Sequence, residues 1–187
     1  MIKNKISKNL RARIKKSKKD LKINIKNFFD WIKGAELVEL KKCNTEEDPV
    51  RPELDNVFRR SYGRKIFGVK YKGDIYAVMC FAYTNKIPKN VEELDKFSHD
   101  AFLQSAQRDQ NVGQIAIAYT VWSKKKGGGK LIVKEVFKKI KSSNHLNRLI
   151  TLSPLTEMAT KFHSRNGANL IQINETTQNF EYKVIKK

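Results

Sequence analysis

The stretch SKKKGGGKLIVKEVFKKI, residues 123–140, spends three of the chain's nine glycines in one place and sets them between Lys124, Lys125, Lys126 and Lys130. Directly behind the glycines, Leu131, Val133, Val136, Phe137 and Ile140 recur at the spacing of an amphipathic helix. Directly in front, QIAIAYTVW (114–122) has the apolar and β-branched content of a strand. A strand that turns through glycines into a helix gathers unpaired backbone N–H groups and the positive end of a helix dipole at one point. A residue without Cβ also lets an anion come close there. The stretch therefore predicts a phosphate-binding turn, with a solvated lysine-flanked loop as the plainer alternative. Its spacing is that of neither a P-loop nor a dinucleotide fingerprint.

Working outward, 187 residues suit one domain with a full core. An apolar fraction of 40% argues against global disorder, and no run approaches the roughly 18 apolar residues of a membrane span. The start MIKNKISKNLRARIKKSKK has basic residues but no apolar signal core, and Cys43 and Cys80 lack metal or redox spacing. These features predict a soluble cytoplasmic protein without a disulfide, a membrane span or a metal site.

The net charge of +20 raises nucleic acid or an anionic surface as a partner. Half of the excess lies in residues 1–33, where ten lysines and two arginines face only Asp20 and Asp30. Lysine outnumbers arginine 30 to 9, whereas base readout favours arginine. Any such binding is therefore expected to be nonspecific and to run through residues 1–33. That segment reads as a basic amphipathic arm of two short helices, one carrying Ile6, Leu10 and Ile14, the other Leu21, Ile25, Phe28, Phe29 and Ile32, with Gly34 as the stop.

Residues 34–187 read as the domain proper. LVELKKC is a short strand, and NTEEDPVRPELDNVFRR a turn followed by a helical segment with Pro52 near its start. RKIFGVKY and DIYAVMCFAYT form a hairpin through Lys72 and Gly73, and VEELDKFSHDAFLQSA is a helix. After the strand and helix around the glycines, RLITL is a buried strand, TEMATKFHSRN a helix stopped by Gly167, and NLIQIN and FEYKVI closing strands. The fold class is α/β in the broad α+β sense.

SKKKGGGKLI resembles the pyrophosphate loop of the GNAT superfamily, in which a basic or amide residue stands two places before a G-x-G or G-x-A; Lys124, Gly127 and Gly129 match in spacing. ATKFHSRNGANLI resembles the A-x-x-x-Y-x-x-x-G-F segment of that superfamily's last helix, with His163 where a tyrosine often serves as acid. Over residues 64–185, AVMCFAYTNKIPKNVEELDKF, IAIAYTVWSKKKGGGKLIVKEVFKKI, ITLSPLTEM, KFHSRNGANL and NFEY are similar, in order, to the catalytic region of the malonyl-CoA decarboxylase family. The resemblance implies a mixed, mostly antiparallel sheet flanked by helices, with coenzyme A or an acyl-CoA as ligand. It implies Trp122, Ser123, Lys124, Lys125, Lys126, Gly127, Gly128, Gly129 and Lys130 at the cofactor, and Ser153 and His163 as catalytic residues. The chain departs from the decarboxylases in lacking a long insertion between the two motifs and an acidic residue near the glycines.

Loss of carbon dioxide from a malonyl thioester leaves an enolate that needs a hydrogen-bond donor at oxygen and a proton at carbon, and a histidine can serve either need. The residues also have ordinary readings: Ser153 before Pro154 fits a helix N-cap, and His163 beside Phe162 fits the edge of a core. On one continuous helix, ten residues place Ser153 about 15 Å from His163, too far for a hydrogen bond. Thr156 shares the face of His163 and is a candidate for the pantetheine side. Transfer of an acyl group to an amine is the competing activity, with Asp74 and Glu181 as weak candidate bases. A binding protein that has kept the fold is the third reading.

Overall fold

The computed structural model describes residues 26–108 and 113–184, together with Lys22. The chain divides into two units at Ala35 and Glu36. In the first, a helix (α1) runs over 26–34 and ends on Gly34; the expected helix around Ile6, Leu10 and Ile14 lies outside the described residues.

Among its described residues the second unit carries eight strands: β1 Glu36–Leu40, β2 Lys65–Tyr71, β3 Asp74–Thr84, β4 Ile115–Ser123, β5 Arg148–Thr151, β6 Ser153–Pro154, β7 Asn169–Ile173 and β8 Thr177–Tyr182. They form one sheet in the order β1-β2-β3-β4-β5-β8-β6, with β7 also on β8. Every pairing is antiparallel except that of β4 with β5. The helices are α2 Val91–Arg108, α3 Gly128–Lys141 and α4 Glu157–Arg165. At the tip of the β2–β3 hairpin, Lys72 and Gly73 both take positive φ (51° and 95°), the turn whose twist suits two strands joined by two residues. Among the described residues no helix is long and apolar enough to cross a membrane.

Strand alternation gives the sheet two apolar faces. Val78, Cys80, Ile115, Ile117 and Tyr119 share a core cluster with Leu94 of α2. The other face meets α3, whose Leu131, Ile132, Val133, Val136 and Ile140 are buried. Within β4 the pairing with β3 slips: Thr120 pairs with Cys80 but Ala118 with Phe81, so Tyr119 is one residue too many. This β-bulge reverses which face later residues point to, and Trp122 joins the same cluster as Ile115 and Ile117.

The helical segment expected from about Pro52 does not form as an α-helix. Residues 45–63 hold only two 3₁₀ pieces, Thr45–Glu47 and Phe58–Gly63, because Asp48 turns the chain back on its own side chain. Its Oδ1 accepts the backbone N–H groups of Val50 (2.9 Å) and Arg51 (3.2 Å), the kind of local bond that competes with helix. The same carboxylate accepts Thr120 Oγ1 at 2.8 and 2.9 Å and a fully buried ion pair from Arg59 Nη2 at 2.8 Å. Asp48 thus fastens the 44–60 loop to β4 one residue past the bulge. Removing one partner of a buried pair strands the other charge. Asp48→Ala should cost about 3–5 kcal/mol in urea unfolding, and a loss below about 1 kcal/mol would contradict this role.

Candidate active site

β4 and β5 pair in parallel for four residues, from Ile115 with Arg148 to Ala118 with Thr151, and Leu152 N–H adds one last bond to Ala118 O at 2.9 Å. The bulge follows at once, and from Tyr119 to Ser123 no strand flanks β4 on the β5 side. β5 hands over to β6, which turns to pair with β8 through Ser153–Gln178 and Pro154–Thr177. The strands therefore fork. A cavity of about 240 Å³ fills the fork, walled by Tyr119 to Ser123, Thr151 to Pro154, Val133 of α3 and Phe162 and His163 of α4.

Ser153 and His163 meet in this wall. Ser153 Oγ and His163 Nε2 lie 2.8 Å apart, which corrects the separation expected from a continuous helix. Ser153 is a strand residue, not an N-cap: α4 begins four residues later, and Thr156 caps it by accepting the Ala159 N–H at 3.3 Å. Between the two, Gln178 of β8 clamps the turn, donating from Nε2 to Pro154 O (2.9 Å) and Thr156 O (3.3 Å) while its Oε1 accepts Thr160 Oγ1 (3.1 Å). The clamp sends α4 back over β6, and that brings His163 onto Ser153. Thr156 also lines the cavity.

The contact continues on both sides. His163 Nδ1 lies 3.0 Å from the Tyr182 hydroxyl, and Ser153 Oγ donates to Thr151 Oγ1 at 3.0 Å, which in turn accepts the Phe180 N–H at 3.1 Å. With Ser153 donating to Thr151, the consistent proton arrangement has Nε2–H donating to Ser153 and Tyr182 O–H donating to Nδ1. The imidazole stacks on Phe180 (centroids 5.1 Å, 28°) and meets Phe162 edge-on, and His163 is only 5% exposed. Burial pushes its pKa down to about 4, so the ring is neutral near pH 7. Burial also pushes the Tyr182 phenol well above its ordinary value.

The glycine turn stands at the outer end of the cavity. Gly127 takes φ 85° and precedes the first turn of α3, where Gly129 and Lys130 present N–H groups without a preceding helical turn to bond. A Cβ on Gly128 would collide with Ser123 Oγ, and one on Gly129 would come within 3.1 Å of the Phe162 ring, so these glycines seat α3 against β4 and α4. An open cleft of about 780 Å³ runs from this turn along α4, bordered by Lys125, Lys130, Lys161 and Arg165 and by one carboxylate, Glu157, which pairs with Lys161 at 2.5 Å. Ser123, Gly129, Met158 and Phe162 border both spaces, so cleft and cavity are continuous.

Two of the expected lysines have contacts outside the cleft. The Lys124 ammonium pairs with Glu47 at 2.6 Å, and Lys125 Nζ lies over the rings of Tyr71 and Tyr76 (5.2 and 4.9 Å). Trp122 is a core residue with the Arg59 guanidinium over its ring, although it borders the cavity. Of the weak candidate bases, Asp74 is exposed at the hairpin tip, and Glu181 is held by Arg148 at 2.6 and 3.0 Å. The sequence assigns no role to Tyr182, Thr151 or Gln178, although ITLSPLTEM holds Thr151 and NFEY ends on Tyr182.

No protein-family model matches the sequence, and no curated protein matches it either. Solved structures do. The GNAT-like decarboxylase GphF, in complex with isobutyryl-CoA, superposes with a TM-score of 0.60 at 9% identity over 80% of this chain and 100% of that one. A Bacillus subtilis acetyltransferase in complex with CoA gives 0.55 at 12% identity over 81% and 98%. The chain has a GNAT-like fold. Malonyl-CoA decarboxylase from Cupriavidus metallidurans gives 0.48 at 18% identity over 78% of this chain, which spans 37% of that protein's length. In this GNAT-like chain the fork, the glycine turn and the Ser153–His163 pair all border one continuous space.

The lowered His163 pKa fixes a pH dependence of stability. Between about 4 and the unfolded value of 6.5 the unfolded chain binds the extra proton. Its contribution is therefore complete above pH 6.5 and is lost as the pH falls toward 4, by about 3 kcal/mol in all. Urea unfolding at pH 7 and 4.5 should show the parent losing more stability on acidification than His163→Asn; equal losses would mean that the ring titrates normally.

Proposed function

We propose that the chain is an acyl-CoA-dependent enzyme that decarboxylates a malonyl-type thioester. The observation that carries the reading is the hydrogen-bonded chain Tyr182–His163–Ser153, which borders a chamber with no Asp or Glu in its lining. The pyrophosphate of coenzyme A is assigned to the glycine turn and its basic cleft, the pantetheine arm to the free edge of β4, and the thioester to Ser153. Two structures that share the fold carry an acyl-CoA and CoA, which supports this by likeness of fold.

In the reaction the bond between the methylene and the carboxylate breaks, and its electron pair passes into the thioester as an enolate. Ser153 O–H, turning from Thr151 Oγ1 to the ligand and still accepting His163 Nε2–H, donates to that enolate, and the carbon takes one proton to become the methyl of an acetyl thioester. One proton is consumed for each carbon dioxide released. A neutral chamber suits a step in which a carboxylate becomes an uncharged gas. Acyl transfer to an amine would need a base to remove the ammonium proton. Glu181 is ion-paired and Asp74 lies at the far hairpin, so decarboxylation is the better supported of the two.

Release of carbon dioxide from malonyl-CoA is the assay, with acetylation of a polyamine as its counterpart. His163→Ala and Ser153→Ala should each lower turnover about 10²- to 10⁴-fold while coenzyme A affinity stays nearly unchanged. A parent protein that releases no carbon dioxide, or variants that change only the melting temperature, would end the reading.

The assignment of the turn has its own check, which avoids the packing role of Gly128. Calorimetry should find pantetheine, which lacks the pyrophosphate, bound at least about 100-fold more weakly than coenzyme A. Equal affinities would take the glycine turn out of the site.

A further inference from the structure

Two cysteines that take no part in the fork gather around one arginine. Cys80, fully buried in β3, accepts an N–H from Arg59 Nη1 at 3.3 Å, and Cys43, half-buried just past β1, packs against the cluster that holds Cys80. The guanidinium is fixed, with Nη2 donating to Asp48 Oδ2 (2.8 Å) and Arg51 O (2.7 Å) and Nε to Leu54 O (2.8 Å). Cys43 is held as firmly. The Asn56 side chain accepts its backbone N–H at 2.9 Å and donates to its carbonyl at 3.0 Å, and the Cys43 thiol lies 3.7 Å from the same Oδ1. Both thiols are free.

Of the two, Cys43 is the one open to a solute. It lines a cavity of about 170 Å³ together with Leu40, Glu47, Ile75, Val78 and Trp122, a cavity that Cys80 does not border. Drug-sized ligands take roughly 300–1,000 Å³, so this space suits a smaller molecule. Trp122 is 7% exposed and its indole N–H has no acceptor among the described residues, which gives the lining a buried donor for an oxygen atom. The Cys43 thiol is pulled down to about 7, first by the neighbouring Cys80 thiol and then, against the opposing effect of burial, by the Arg59 charge. Burial pushes Cys80 the other way. Near pH 7 Cys43 is therefore the nucleophile and Cys80 the thiol that keeps its proton.

We propose that Cys43 and Cys80 are an oxidisable pair for small hydroperoxides, in which Cys43 takes the oxygen and Cys80 closes the product to a disulfide. The Cys43 thiolate attacks the terminal oxygen, the O–O bond breaks, and the departing alkoxide or hydroxide takes a proton and leaves as alcohol or water. Cys43 is then a sulfenic acid. The Cys80 sulfur attacks the Cys43 sulfur, the S–O bond breaks, and the leaving hydroxide carries off the Cys80 proton as water. In sum the two thiols lose two electrons and two protons, and the hydroperoxide gains them. The Arg59 guanidinium steadies negative charge on sulfur in both steps. The inference stands apart from the acyl-CoA reading and survives its failure.

The test is exposure of the folded protein to hydrogen peroxide at pH 7, followed by alkylation of the remaining thiols and non-reducing peptide mapping. The parent should yield a peptide linked through Cys43 and Cys80 and an intact mass lower by two hydrogens, and dithiothreitol should restore both thiols. Cys43→Ser should slow loss of the Cys80 thiol at least about 10-fold, whereas Cys80→Ala should leave a Cys43 sulfenic acid that dimedone captures. A sulfenic or sulfinic acid that accumulates at Cys43 in the parent would show that Cys80 does not resolve it, and the proposal falls. A disulfide that joins two copies of the chain, or oxidation that begins only once urea has unfolded the protein, overturns it equally. The parent protein decides even where a variant does not fold.

Discussion

The parting of β4 from β5 is the constraint on which the rest of the molecule turns. Parallel strands normally bond along their whole shared length, and here the bonding stops after Ala118 and Thr151 because an extra residue, Tyr119, breaks the pleat of β4. Once the strands diverge, the peptide groups of β4 from Tyr119 onward need other partners. Arg51 supplies one of them, and Asp48 keeps the loop that carries Arg51 in place by binding Thr120. The cavity exists because a ladder is interrupted, and it is bounded because a loop is pinned across the interruption.

The polar groups around the fork fall into two kinds. Asp48 and Arg59 compensate each other completely and serve as a fastener. Ser153, His163 and Tyr182 are also buried and hydrogen-bonded, but they sit at the cavity wall and hold exchangeable protons in a line. A neutral imidazole between two hydroxyls carries no charge into the apolar interior, so the arrangement costs little while no ligand is bound. Arg51 belongs to neither kind: its side chain donates to two strand carbonyls and ties the fork at its base.

Charge is divided along the site in the same way. The cleft by the glycine turn has four basic side chains against one carboxylate, Glu157, and open access to water, while the chamber behind it has no carboxylate in its lining. A ligand with a phosphorylated end and an acyl end would meet a field suited to each, in sequence. Several lysines of the turn nonetheless have structural company, Lys124 with Glu47 and Lys125 over two tyrosines, so backbone N–H groups and the remaining cations make up the anion-binding potential.

What the sequence determined by itself was the local grammar. The strand, glycine turn and amphipathic helix of residues 114–141, the Lys72–Gly73 hairpin and the helix at 91–108 follow from periodicity and turn chemistry, which act over a few residues and are written in them. Ser153 and His163 could be singled out from their motifs, but their contact could not be read. Helical arithmetic over ten residues gave the wrong distance, because Ser153 pairs as a strand with Gln178 and the chain reverses before α4 begins. The segment at 45–63 misled for the same reason: its helical look gives way to a carboxylate whose partners, Thr120 and Arg59, lie 72 and 11 residues away. Arg51, between Val50 and Pro52, carries no motif at all. Its significance lies in a bulge and a strand end separated from it by 68 and 101 residues, a juxtaposition that only the folded chain creates.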